Sequence, residues 1–260
     1  MVRFGFHIVR GVWRKMKFNE FLAKVHQILS SIEETQAESI AKASALVSEC
    51  LLNDGIVYTF GTGHSHCVAE EVCWRAGCLV PIDAILEPSL TGHTQVVKSG
   101  MAERLEGFSK VILDHRDLGE HDVMIVISNS GINAAPIEMA IEARKRNLPV
   151  IAITSLEYSK QSQVRQSGGK KLYEVASVAI DNCTPWGDAV MRLEGLRQPV
   201  GPVSNIAAMT IMHAIMVQAE QNMLDKGTEP PVFMSGNLDG GNESNAPLLR
   251  KYRDRVLLWY

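Results

Sequence analysis

Apolar residues at Phe18, Phe21, Leu22, Val25, Ile28, Leu29 and Ile32, with polar residues between them, recur at the spacing of an amphipathic helix; the pattern predicts one or two helices over residues 18–52. The period then changes. Residues 55–60 (GIVYTF) form a short run rich in β-prone side chains that ends in glycine, followed by a helix-compatible stretch to about residue 75 and a second short apolar run over 78–82. After the polar turn LGEHD, the run VMIVI at 123–127 is continuously apolar, as expected of a parallel strand buried on both faces. A helix is predicted over 133–147, with Pro136 in its first turn where a missing N–H is harmless, and PVIAIT at 149–154 reads as the next strand. A weaker unit follows, with a polar loop over 155–171 and a strand over 176–180. Strands alternating with helices imply a parallel, doubly wound α/β sheet.

Beyond a Gly- and Pro-marked stretch at 182–202, a long helix rich in Ala, Met and Ile is predicted over 203–226. The tail from Gly227 carries Pro230-Pro231 and a Gly/Asn cluster, and is expected to be loop with one short ordered piece. This divides the chain into an N-terminal extension (1–16), one domain (17–226) and a C-terminal tail (227–260). The extension holds neither a signal-type apolar core nor a spanning segment, because Arg3, His7 and Arg10 interrupt it. A start-site artefact and a partner-binding arm both remain open readings of it.

Composition narrows the partners. The 260 residues are 46% hydrophobic and 21% charged, with a formal net charge of −3, so no global positive field attracts nucleic acid or an anionic membrane. Any bound anion must be attracted locally. Five cysteines without a C-x-x-C pair suit reduced thiols in a cytoplasmic protein. His64, His66 and Cys67 lack the paired spacing of a structural zinc site, so no metal and no cofactor is expected.

Two turns stand where ligands bind in open α/β sheets, beyond the carboxyl ends of strands. Gly61, Gly63 and Ser65 follow the first strand; Ser128, Asn129, Ser130, Gly131 and Asn133 follow the run at 123–127. Unpaired N–H groups at a helix start, with small hydroxyl side chains beside them, suit a phosphate. A Walker loop would need Gly-Lys-Ser/Thr where His64-Ser65 follows Gly63, and a dinucleotide fingerprint would need a third glycine at His66. The alternative is that the glycines are tight turns and the serines helix caps.

With Gly61-Thr-Gly-His-Ser65, Ile127-Ser-Asn-Ser-Gly131 and Ala152-Ile-Thr-Ser155 each closing a strand, the chain resembles the sugar isomerase (SIS) domain over about residues 17–226. That phosphosugar-binding fold is shared by phosphoheptose isomerase, arabinose-phosphate isomerases, the isomerase half of glucosamine-phosphate synthase and the N-acetylmuramic acid phosphate etherase; nearest is a bacterial SIS family whose reaction is unassigned. The resemblance implies a three-layer α-β-α, flavodoxin-like five-stranded sheet. It also implies a phosphate held by the Ser-x-Ser-Gly-x-Thr/Ser loop, and homodimers or homotetramers with shared active sites. Asn133 departs from the Thr or Ser of that loop, although its amide can still donate.

Shifting a proton between C1 and C2 of an open-chain sugar phosphate needs a base, and usually a second group to open the ring. Glu70 and Glu71 lie on the helix after Ser65, and only one can face the pocket. Matching Ala69-Glu70-Glu71 to the Ala-Glu-Glu of phosphoheptose isomerases selects Glu71, though its spacing from the loop serine is about one helical turn shorter. The alternative makes both a solvated face or an ion pair with Arg75. His93 lies in a loop after the second strand and is read as the acid or ring-opening partner. His64 is read as a substrate contact or a cap. His213, on the long C-terminal helix, is either catalytic or a core histidine, since the upstream partner position in the isomerases is Thr210 here. Ser204 is read as an N-cap that can also close over ligand. The first functional expectation is a metal-free aldose-ketose isomerase acting on a sugar phosphate. The alternatives are a lyase or etherase that abstracts the C2 proton and eliminates a 3-substituent, and a non-catalytic phosphosugar sensor.

Overall fold

The structure is a computed structural model that describes residues 16–259. The expected N-terminal extension therefore lies, apart from Met16, outside the described residues. Helix α1 (Lys17–Leu52) realises the first amphipathic pattern as one 36-residue helix, burying Ala43, Val47 and Leu51 toward the sheet. The strands are β1 (Val57–Gly61), β2 (Ile82–Ile85), β3 (Val123–Ile127), β4 (Val150–Thr154) and β5 (Val178–Asp181). All are parallel, in the order β2-β1-β3-β4-β5.

Alternation along the strands builds the layers, because successive side chains leave opposite faces. Val57, Val123, Ile125, Ile151 and Ile153 point to a core shared with α1, with α2 (Ser65–Glu71) and with α9 (Ser204–Asp225). Tyr58, Phe60, Met124, Val126 and Val150 point to a second core. That core includes Leu113 of α5 (Phe108–Asp114), Ile137 and Ala140 of α6 (Ala134–Lys145), and Leu172 of α8 (Leu172–Val175). Both faces of the sheet are thus covered, the condition under which parallel strands read as unbroken apolar runs.

Differences from the sequence reading have local causes. Residues 78–80 do not join the sheet; they pair with the tail, where Phe233 N–H donates to the Cys78 carbonyl at 2.9 Å and Val80 N–H to the Pro231 carbonyl at 2.7 Å. Strand β2 begins only at Ile82. Between β2 and β3 lie α3 (Pro88–Thr91), α4 (Val96–Ala102) and α5, too short to leave a clear periodicity. The loop expected at 155–171 opens with α7 (Leu156–Gln161), capped by the Ser155 hydroxyl, which accepts from Tyr158 N–H at 3.0 Å. The Gly/Pro stretch contains a small antiparallel pair, β6 (Ala189–Met191) with β7 (Val200–Pro202). The tail carries α10 (Gly241–Tyr252) and a 3-10 turn, Leu257–Trp259. It is anchored by Asp83, which accepts N–H bonds from Leu257 and Leu258 at 3.3 Å and pairs with Arg116 at 2.6 Å. No helix among the described residues is long and apolar enough to cross a membrane.

Candidate functional site

In the order 2-1-3-4-5 the connections leave β1 and β3 toward opposite faces, and the crevice between their carboxyl ends is the natural ligand site. Both turns singled out in the sequence open into it. At the end of β1, a Cβ on Gly61 would collide with the Ser65 carbonyl, so glycine lets the first turn of α2 sit directly on the strand. Gly63 has φ +51°, in the left-handed region. Its carbonyl is met by His66 Nδ1, while the exposed His64 offers its own carbonyl to Asn205 Nδ2 at 3.0 Å. Ser65 is thereby fixed at the start of α2.

At the end of β3 the turn is tied down from three sides. Ser128 Oγ accepts from Gly131 N–H at 3.2 Å. Asn129 Oδ1 accepts from Asn182 Nδ2 at 2.8 Å and from Thr184 Oγ1 at 3.0 Å. Gly131 has φ +62°, and a Cβ there would stand 2.8 Å from Thr154 Oγ1. In the first turn of the twelve-residue helix α6, Ala135 N–H donates to the Glu103 carbonyl at 2.9 Å and Pro136 has no N–H; Asn133 precedes the helix without capping it by a side-chain bond. Its amide is used elsewhere: Nδ2 donates to Glu103 Oε1 at 2.8 Å and Oδ1 accepts from an Arg165 guanidinium N–H at 3.2 Å.

Between the two turns lies a cavity of about 280 Å³ lined by Thr62, Ser65, Ser128, Asn129, Ser130, Asn133, Glu103, Tyr158, Gly187 and Asp188. Five of the expected binding residues line it: Ser65, Ser128, Asn129, Ser130 and Asn133. Gly63, His64 and Gly131 shape the turns without lining the cavity. Ser204 stands at the first position of α9, where its N–H and hydroxyl donate to the Asp188 carboxylate at 2.7 and 2.8 Å; the cap of that helix is Asp188.

The expected catalytic residues lie outside this lining. Glu71, at the last position of α2, reaches α9: its Oε1 is 3.3 Å from His213 Nε2 and 3.0 Å from an Arg75 guanidinium nitrogen. The Arg75 pair and the His213 contact thus coexist, and Glu70 points to solvent. His213 Nδ1 is 4.0 Å from Cys78 Sγ, whose thiol burial pushes up. On the same helix, burial raises the Glu220 carboxyl, and one of its oxygens is buried without a hydrogen-bond partner. His93 is exposed and packs edge-on against the buried His66, ring centres 4.6 Å apart. The structure therefore brings Glu71 to His213 and places His93 against the turn after β1. Among the described residues no group of three or more His, Cys, Asp or Glu side chains is placed to hold a metal ion.

Sequence reasoning missed Glu103 and Asp188. Glu103 caps the short helix α4, in a region without periodic signal, and burial raises its carboxyl despite the Thr62 hydroxyl that donates to it at 2.9 Å. The Gly187-Asp188 pair, ahead of a predicted helix start, was the available hint of a cap.

A flavodoxin-like sheet with a hydroxyl-lined crevice at its switch point defines an open α/β protein with a small-ligand-sized cavity at the carboxyl ends of β1 and β3. Residues 20–155 match the SIS domain family. Over 238 residues the chain is 38% identical to a UPF0309 protein of Geobacillus thermodenitrificans, covering 92% of this chain and 96% of that one. It is 41% identical over 235 residues to a UPF0309 protein of Halalkalibacterium halodurans, covering 90% and 97%. The chain belongs to the SIS-domain family and, within it, aligns along nearly its whole length with UPF0309 proteins. Among solved structures the phosphoheptose isomerase of Neisseria gonorrhoeae superposes with a TM-score of 0.53 at 20% identity, covering 79% of this chain and 97% of that one. That of Francisella tularensis gives 0.51 at 19%, with the same coverage. At such identity the likeness is one of fold.

Proposed function

We propose that the chain binds a sugar phosphate, with the phosphate between Ser65 and Ser130, and isomerises it between aldose and ketose by acid-base chemistry centred on Glu71. The observation that carries this reading is the placing of two groups along one helix. Ser65 opens α2 at the cavity, and Glu71, six residues on, faces His213. Six residues of helix rise about 9 Å, a span comparable with an open-chain phosphosugar. In this reading the hydroxyls of Ser65, Ser128 and Ser130, at the start of α2 and ahead of α6, hold the phosphate. The Glu71 carboxylate takes the proton from C2 to give an enediolate and returns it to C1. His213, within hydrogen-bond reach of Glu71, orients that carboxylate and exchanges protons with the sugar oxygens. His93, at the rim of the anion loop, is assigned to ring opening. Family membership and the phosphoheptose isomerase fold both favour a phosphosugar ligand.

The test is thermal unfolding against sugar phosphates beside their unphosphorylated sugars and free phosphate. A ligand at 100 times its Kd adds about 2.7 kcal/mol to the folded state. A shift confined to phosphosugars supports the reading, and NMR of the products then distinguishes a ketose from an eliminated 3-substituent. No shift with any phosphosugar overturns it.

A further inference from the structure

The cavity assigned to an anion contains a feature that simple phosphate binding does not call for. Its lining includes two carboxylates, Glu103 and Asp188, and no lysine or arginine. Asp188 is committed to α9, accepting from Val203 N–H, Ser204 N–H and the Ser204 hydroxyl at 2.7 to 2.9 Å. Glu103 occupies a different position. One of its carboxylate oxygens accepts from Thr62 at 2.9 Å, in the turn after β1; the other accepts from Asn133 at 2.8 Å, in the turn after β3. Its backbone carbonyl also accepts from Ala135 N–H of α6 at 2.9 Å. A single side chain therefore spans the two turns that form the site and sets the gap between them, while its charge faces the space the anion would enter.

We propose that Glu103 is the positioning residue that spaces the two anion-binding turns, and that the anion enters with uptake of one proton at Glu103. The inference rests on the sugar-phosphate reading of this cavity. A dianion and an ionised carboxylate in one small cavity repel, and the repulsion is removed when the carboxyl takes a proton. Both hydrogen bonds survive that change if the Thr62 hydroxyl reverses its role, because a hydroxyl both donates and accepts. Burial already favours the protonated carboxyl, which lowers the cost of the step. The charged groups around it are Arg104 beside it, Arg165 across Asn133, and Asp188 in the same lining. The imidazoles of His64 and His66 stand at the turn after β1, so a single pH profile would not isolate Glu103.

Two substitutions do. In Glu103→Gln the amide oxygen can accept from Asn133 and the amide nitrogen can donate to the Thr62 hydroxyl, so the bridge stays and the charge goes. In Glu103→Ala both go. The probe is inorganic sulfate, a tetrahedral dianion throughout the range, whereas a phosphate monoester titrates with a second pKa of about 6. Sulfate affinity of the full chain is measured by calorimetry from pH 5.5 to 8.5. The wild type is expected to bind more tightly as pH falls, by up to about tenfold per unit, which is the limit for uptake of one proton. Glu103→Gln should bind more tightly than wild type at pH 8 and lose most of that slope, and Glu103→Ala should bind weakly at every pH. If Glu103→Gln keeps the wild-type slope, or weakens binding at every pH as Glu103→Ala does, the proton linkage is wrong while the anion site stands. If neither wild type nor Glu103→Gln binds sulfate or inorganic phosphate, the anion reading of the cavity fails and the proton linkage falls with it.

Discussion

His213 Nε2 lies 3.3 Å from Glu71 Oε1, joining the last residue of α2 to the middle of α9. Glu71 is the carboxylate that the sequence favoured, and the histidine it meets is the one that sequence left undecided between core and catalysis. The half-buried setting of the pair, with Arg75 on the same carboxylate oxygen, holds one rotamer of Glu71 toward α9 rather than toward solvent.

If that pair carries the proton transfer, Glu71→Gln keeps the size and one acceptor of the side chain while removing the base. Turnover of the phosphosugar identified by thermal shift should fall by a factor of about 100 to 10,000, the usual worth of a positioned acid or base. The ligand-induced rise in melting temperature should persist, since Glu71 does not line the cavity. His213→Asn should lower kcat in the same assay with little change in KM. Wild-type turnover in either variant would remove the pair from the mechanism.

Gly131 offers a sharper test of the turn after β3, to which the phosphate is assigned. Its φ of +62° costs any other residue about 1 to 2 kcal/mol, and a Cβ there would also press on Thr154 Oγ1 at 2.8 Å. Gly169, at φ +73°, has open space around its Cβ position and carries only the conformational penalty. In urea denaturation, Gly131→Ala should therefore lose at least about 1 kcal/mol more than Gly169→Ala, and it alone should also abolish the phosphosugar shift. Equal losses would mean that the turn adjusts freely and that glycine is not required for its shape.

The sheet was legible because parallel strands covered on both faces leave unbroken apolar runs, and β1, β3 and β4 each end in a turn of Gly, Ser or Thr. Both turns of the site were legible for the same reason. The run at 78–82 misled because apolar residues that pair with a C-terminal strap look the same in sequence as a sheet strand. Glu103 was invisible because its importance lies in bridging residues 41 positions upstream and 30 downstream, and a bond of that kind leaves no local pattern. The meeting of Glu71 with His213, 142 residues apart, was not legible either; each residue was marked as a candidate, but only packing of α2 on α9 joins them.

The buried ion pair of Asp83 and Arg116 gives a stability test with a defined pH dependence. Asp83 is fully buried at the edge strand β2, and Arg116 lies 2.6 Å away, with the N–H groups of Leu257 and Leu258 completing the shell. Burial raises the Asp83 carboxyl above its ordinary value, and the guanidinium opposes that rise. Removing the cation in Arg116→Met leaves a buried carboxylate uncompensated, which typically costs about 3 to 5 kcal/mol. A carboxyl whose folded pKa is raised contributes most to stability below its unfolded value, about 3.9, and that contribution is lost as pH rises through the folded value. In Arg116→Met the folded value rises further, so the deficit relative to wild type should be larger at pH 8 than at pH 5 in urea denaturation. Adding Asp83→Asn to Arg116→Met should recover part of the loss at pH 8 and little at pH 5. A deficit that is the same at both values would mean that Arg116 stabilises the tail through packing of its aliphatic stem, and that the charge on Asp83 is answered by the tail N–H groups alone.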